Sequence, residues 1–127
     1  LLMQSNRAGQ AVAVLEKAVL ALPDDASARE LLIRAYIATR DLDAARTGAE
    51  DLKTLRPQLA VGPYLAGLAA QARGDGDAAV KEFESALKLQ PTAMDALSAL
   101  VRVQVARGRT ASAIDRVNAS VAASPDN

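Results

Sequence analysis

Apolar residues recur along the chain at three- and four-residue steps, in blocks separated by short polar turns. In one block Leu31, Leu32, Ala35 and Tyr36 stand at i, i+1, i+4 and i+5, one face of a helix. In the next, Leu42, Ala45, Ala49, Leu52 and Leu55 keep the same stepping. The pattern predicts seven amphipathic helices, near 7–22, 26–39, 43–56, 60–73, 77–90, 94–107 and 111–123. A helix of ~14 residues is roughly 21 Å long. Asp41 and Asp75 fall in the turns between paired helices, and Asp24 and Asp25 stand ready to cap the helix that starts near Ala26. Pro63 falls in the first turn of its helix, where a missing N–H costs little.

The blocks sit on a ruler. Pro23, Pro57, Pro91 and Pro125 are spaced 34 residues apart, and a fixed period of this size signals a repeat architecture. With each proline placed at position 32, position 20 is Ala11, Ala45, Ala79 and Ala113. Position 24 is Leu15, Ala49, Phe83 and Val117, position 27 is Ala18, Leu52, Ala86 and Ser120, and position 17 is Ala8, Leu42, Gly76 and Thr110. A proline cannot continue a helix, so each one resets the chain for the next unit. The recurring alanine has a packing reason: a larger side chain would hold the two helices of a hairpin apart.

These columns resemble the tetratricopeptide repeat family. The third unit carries the likeness best, with Gly67, Gly74, Ala79, Phe83, Ala86 and Pro91; the second adds Leu32 and Tyr36, and the fourth Leu97, Leu100, Gly108 and Ala113. The departures are Arg29, Pro63 and Leu97 at position 4, where the family favours an aromatic, and Ile33 and Val101 at position 8, where it favours a small residue. The resemblance implies an all-α fold, a right-handed superhelical solenoid of antiparallel helix pairs. The chain then reads as one array, with complete units at 26–59, 60–93 and 94–127 and the second helix of a partial unit in 1–25. A start without Met in mid-repeat reads as a piece of a longer array. Terminal repeats normally need a polar outer face, whereas the last helix keeps Ile114, Val117 and Val121. An exposed apolar seam is expected there, for a neighbouring repeat or a self-associating copy.

The resemblance also places the binding surface. In the family, positions 2, 5, 6, 9, 12 and 13 of each first helix tend to face a concave groove. From these, the second unit offers Ser27, Glu30, Arg34, Ile37 and Ala38; the third Val61, Tyr64, Leu68, Gln71 and Ala72; and the fourth Asp95, Ser98, Arg102, Val105 and Ala106. Tyr64 and Leu68 would bury apolar side chains of a partner, and Arg34 and Arg102 would orient it by forking onto carboxylates. Each has a plainer alternative. Glu30 and Arg34 are spaced for an exposed helix pair, Tyr64 for packing, and Leu68 and Val105 for contacts between repeats. Family members that grip acidic chaperone tails use Lys and Asn, then Asn, then Lys and Arg. The matching places here hold Glu30 and Arg34, Leu65, and Asp95 and Ala99, so an acidic tail is not the expected ligand.

Composition narrows the function. Fifteen basic residues balance fifteen acidic ones, and there is no His, Cys or Trp. That excludes a basic nucleic-acid surface, the usual zinc sites and disulfides, and Cys or His nucleophiles. No apolar run is long enough to span a membrane. Arg73-Gly74-Asp75 spells an adhesion tripeptide but occupies an inter-helix turn. Asp75-Gly76-Asp77 lacks the spaced ligands of a calcium loop, and the sequon Asn118-Ala119-Ser120 lies inside a predicted helix. Glu82 and Glu84 share no pocket. No catalytic residue, metal or cofactor is implied. The expected function is a non-catalytic module that presents a groove to a peptide or helix of a protein partner. The alternative is a structural or self-associating scaffold. The Ala-, Arg- and Asp-rich composition points to a high-GC bacterium. The run from Pro63 through Arg109 resembles the repeat lipoproteins associated with bacterial exosortase and exopolysaccharide systems, which would imply the periplasmic envelope and export or polysaccharide-assembly partners.

Overall fold

Aspartates start three of the helices. In the computed structural model, which describes residues 2–123, Asp25 accepts hydrogen bonds from the backbone N–H groups of Ser27 (2.9 Å) and Ala28 (3.2 Å). Asp41 accepts from Ala44 (3.3 Å) and Asp75 from Ala78 (3.1 Å), each satisfying a donor that the first helical turn leaves free. The helices are α1 (Leu2–Ala21), α2 (Ala26–Ala38), α3 (Leu42–Leu55), α4 (Val61–Arg73), α5 (Gly76–Leu89), α6 (Met94–Ala106) and α7 (Thr110–Ala123). α2 to α7 keep to within a residue of the expected bounds. α1 departs from them by starting at Leu2 instead of residue 7. Arg7 stands where Asp41 and Asp75 cap their helices, so the aspartate cap that opens α3 and α5 has no counterpart there. Pro125 and the rest of 124–127, counted above in the last unit, lie outside the described residues.

Two turn types alternate. After each first helix, a left-handed residue stands at the same repeat position: Arg40 (φ 64°), Gly74 (φ 86°) and Gly108 (φ 75°). The next N–H then reaches back five residues: Asp41 to Tyr36 (2.9 Å), Asp75 to Ala70 (2.9 Å) and Arg109 to Gln104 (2.8 Å). This is the closure that normally wants glycine, and Arg40 adopts it with a full side chain. After each second helix, Pro23, Pro57 and Pro91 open an exposed turn that leads to the next unit.

Each helix packs on its neighbours in sequence, and the first helices also pack on one another, α2 on α4 and α4 on α6. The result is an all-α helical-repeat solenoid whose contacts stay local along the array. One core cluster joins Ile33, Ala45, Ala49, Leu52, Leu65, Ala66 and Ala69. A second joins Ala79, Phe83, Ala86 and Leu87 to Ala96, Leu97, Ala99, Leu100 and Val103. Tyr64 and Leu68 are partly buried and touch both clusters. Leu31, expected on the buried face of α2, is 54% exposed; Ile33 and Ile37 join the first core cluster instead, with Ile33 over Gly48 of α3, so the buried stripe is rotated past Leu31.

Polar contacts stitch the units. Lys53 Nζ donates to both Glu82 carboxylate oxygens (2.8 and 2.9 Å) and to Glu50 (3.0 Å). Burial pulls this ammonium down, but the hydrogen bonds to Glu82 and Glu50 outweigh it and hold its pKa above the ordinary lysine value. Arg116 Nε donates to Glu84 (2.8 Å). Arg73 pairs with Asp43 (3.5 Å) and Arg107 with Asp77, one unit further on.

Tyr36 Oη donates to Glu16 (2.6 Å) and ties α2 to α1. That hydrogen bond, then burial, then the negative charges of Glu16 and Asp41 push its pKa up to about 12. The folded state therefore favours the neutral phenol. This contribution to stability is fully present below the unfolded value of about 10 and is lost as pH rises from there to 12. With no Trp in the chain, ultraviolet titration reads the tyrosines directly. One phenolate is expected near pH 12, moving toward 10 in Glu16→Gln. An unchanged titration in that variant would refute the tether.

Candidate interaction groove

The first helices bring side chains from three units to one depression of about 330 Å³. α2 supplies Glu30 and Arg34. The start of α4 supplies Val61 and Tyr64, with Ala60 before it. The turn into α6 supplies Gln90, Thr92 and Ala93, followed by Met94, Asp95 and Ala96. Of the groove residues expected from the sequence, five meet here: Glu30, Arg34, Val61, Tyr64 and Asp95.

Arg34 is doubly engaged. Its Nε and Nη2 both donate to Glu30 Oε2 at 3.2 Å, and its guanidinium lies 5.8 Å from the centre of the Tyr64 ring, within cation–π range. The Tyr64 ring leans on Phe83 in turn, 6.0 Å between centres at 45°. The plainer reading of each residue is met: Glu30 and Arg34 pair along the helix, and Tyr64 packs on Phe83. The helix pair also fixes a charged wall beside the aromatic. Asp95 stands in the first turn of α6, where the helix dipole favours a carboxylate. The ionisable lining is two carboxylates and one guanidinium, besides the Tyr64 phenol.

The other expected groove residues lie elsewhere. Ile37 packs against the first core cluster, and Leu68 lies between the two clusters, because the neighbouring first helices cover both. Gln71, Ser98 and Arg102 are exposed and line no part of this depression. Arg102 Nε turns back to the Ser98 carbonyl at 3.4 Å. Val105 lines a second hollow, between α6 and α7. Arg34 and Arg102 thus do not act as one basic pair in the depression: the first is neutralised locally and the second is outside it. Gln90, Thr92 and Met94 were not expected from the sequence. Their signal was the turn after Pro91, which delivers the chain to the groove beside position 2 of the next helix.

Among the described residues, no group of three or more acidic side chains is arranged to hold a metal. No described helix is long and apolar enough to cross a membrane.

A family model described as tetratricopeptide repeat matches residues 2–72 and 70–127. The chain belongs to the tetratricopeptide repeat family. No curated protein matches it in sequence. Among solved structures it is similar to TTC0263, a thermophilic TPR protein in Thermus thermophilus. The identity is 20%, over 98% of this chain and 70% of that one, with a TM-score of 0.81. It is also similar to MamA, at 20% identity over 90% of this chain and 62% of that one, with a TM-score of 0.74. A third is the first TPR of Spaghetti (RPAP3) bound to the HSP90 peptide SRMEEVD, at 19% identity, 84% of each chain and a TM-score of 0.70. At such identities the likeness is one of fold. The chain spans less than two thirds of the MamA chain.

Proposed function

We propose that this chain is a non-catalytic interaction module that seats a segment of a partner protein in the depression between α2, α4 and α6. The observation that carries this reading is the convergence of Glu30, Arg34, Val61, Tyr64 and Asp95 from three separate units on one hollow. Peptide docking on a related fold, the Spaghetti repeat with its HSP90 peptide, agrees with it. The ligand chemistry differs. The clamp positions hold Glu30, Arg34, Leu65, Asp95 and Ala99, and Arg34 is already paired. The segment inserts an apolar side chain beside Val61, Tyr64 and the exposed Met94, and offers a basic group to Asp95.

Peptides selected on the chain from a displayed random library test this. They should be enriched in a basic residue near an apolar one. Asp95→Lys should weaken them by about tenfold, ~1.4 kcal/mol, whereas Arg34→Glu, which adds negative charge to the same hollow, should tighten them; both positions are exposed. Gln71→Ala should leave binding unchanged. Selected peptides indifferent to both charge reversals would refute the assignment.

A scaffold role in a bacterial envelope assembly of the exosortase or exopolysaccharide kind is the second reading. The observation favouring it is the apolar face of α7, where, among the described residues, Ile114 is 55% and Val121 62% exposed.

A further inference from the structure

The hollow between α2, α4 and α6 already holds one guanidinium, its own. Arg34 stands four residues after Glu30, and its guanidinium lies over the Tyr64 ring of the next first helix, 5.8 Å from the centre. The buried Phe83 backs that ring. A carboxylate beside an aromatic face is a pair of surfaces that suits a guanidinium. The carboxylate takes its N–H groups, and the ring takes its flat, weakly hydrated face. An ammonium is compact and strongly hydrated, and gains less from the ring.

The internal occupant fills this place loosely. Arg34 Nε and Nη2 both donate to the same oxygen, Glu30 Oε2, at 3.2 Å, longer than the ~2.7–2.9 Å of a strong charge-assisted bond. A bidentate fork would use both carboxylate oxygens. Both side chains stay open to water, Arg34 at 44% and Glu30 at 35%. An exposed helix pair of this kind shifts an equilibrium by only about twofold, and an exposed cation–π contact adds a few-fold. Arg34 can leave by side-chain rotation alone, with the backbone unchanged. Charge points the same way. Glu30 and Arg34 cancel, and Asp95 has no ion pair among the described residues, so the lining keeps one uncompensated negative charge. That charge draws a cation to the edge of a seat which another cation already holds.

We infer that Glu30 and Tyr64 form a guanidinium subsite, that Arg34 occupies it before a segment binds, and that an arginine of the partner segment takes it by displacing Arg34. The inference rests on the hollow being a segment-binding site, and it narrows the segment's basic group to arginine. Arg102 supplies the contrast. It stands at the same repeat position, but Ser98 replaces Glu30 and its Nε turns to the Ser98 carbonyl.

Chemical rescue tests the subsite without a partner. Arg34→Ala, at an exposed helix position where alanine is well tolerated, vacates the seat. Ethylguanidinium should then bind saturably at millimolar concentration. The ring resonances of the chain's two tyrosines read this: Tyr64 should shift, while Tyr36, tied to Glu16, should not. Ethylammonium at equal ionic strength should bind about threefold more weakly or worse, as should ethylguanidinium on the unaltered protein. Arg102→Ala should behave as the unaltered protein does, and Glu30→Gln added to Arg34→Ala should abolish the response. No response in Arg34→Ala, equal binding of the two cations, or an equal response of the unaltered protein would overturn the subsite.

Library-selected peptides test the exchange. Arg34→Ala should tighten an arginine-containing peptide by about threefold or more, and the gain should vanish when that arginine is replaced by citrulline. A gain that persists with citrulline, or equal affinity for the lysine version, would overturn the exchange. The two readings fail separately. Rescue without any selectable peptide supports the subsite and counts against the segment-binding reading. Peptides that bind through Asp95 while rescue fails keep the groove and overturn the subsite.

Discussion

Gly67→Ala should destabilise the protein by about 2–3 kcal/mol, although alanine is the better helix former. A Cβ at Gly67 would overlap the Phe83 ring at three of its carbons. Phe83 is fully buried and belongs to the α5–α6 cluster, with the Tyr64 ring tilted against it, so the ring has nowhere to retreat. The same two positions in the other units trade size. Ile33 stands with Ala49, Gly67 with Phe83, and Val101 with Val117. The departures from the family pattern at position 8 are therefore compensated at position 24. Phe83→Leu alone should cost ~1.5 kcal/mol by leaving space beside Gly67. Combined with Gly67→Ala it moves volume across the pair, and the double variant should be more stable than Gly67→Ala alone by about 1 kcal/mol. Urea midpoints of the four proteins close the cycle. Strictly additive costs would show that the two positions are not coupled.

The periodic part of the fold was legible because it is local. The 34-residue proline spacing, the capping aspartates and the three- and four-residue apolar steps set helix number and bounds from neighbours in sequence. What escaped were features set by a partner across space or by a missing signal. Arg7 in place of a capping aspartate let α1 run back to Leu2. The left-handed Arg40 was hidden because the glycines that mark its turn type occur only in the other two units. In the groove, family positions located five of the lining residues, since those lie near the N-terminal ends of the first helices. Positions further along the helices, Ile37 and Leu68, are claimed by the next unit's packing. Whether Arg34 was free or paired could not be read from its spacing to Glu30. The Tyr64 contact comes from another repeat.

Replacing each position-20 alanine by leucine in turn should give a graded series. Ala45 and Ala79 are completely buried, Ala113 is 3% exposed, and Ala11 is only half-buried. The residue is the same in all four units, so intrinsic propensity contributes equally and only the surroundings differ. Ala45 and Ala79 each lie within a core cluster, under a hairpin partner and the following first helix. Added methylenes there must push backbones apart, at about 3 kcal/mol. Ala113 is enclosed by its hairpin partner but borders the open α6–α7 hollow, into which a larger side chain can turn, so the expected cost falls to ~1 kcal/mol. At Ala11 the change should stay within about 0.5 kcal/mol, as for other incompletely buried sites. Denaturant midpoints with an unchanged slope provide the measurement. Equal losses at all four positions would mean that the alanine serves helix pairing alone. The expected ordering would mean that its work is to let the next unit close over the pair.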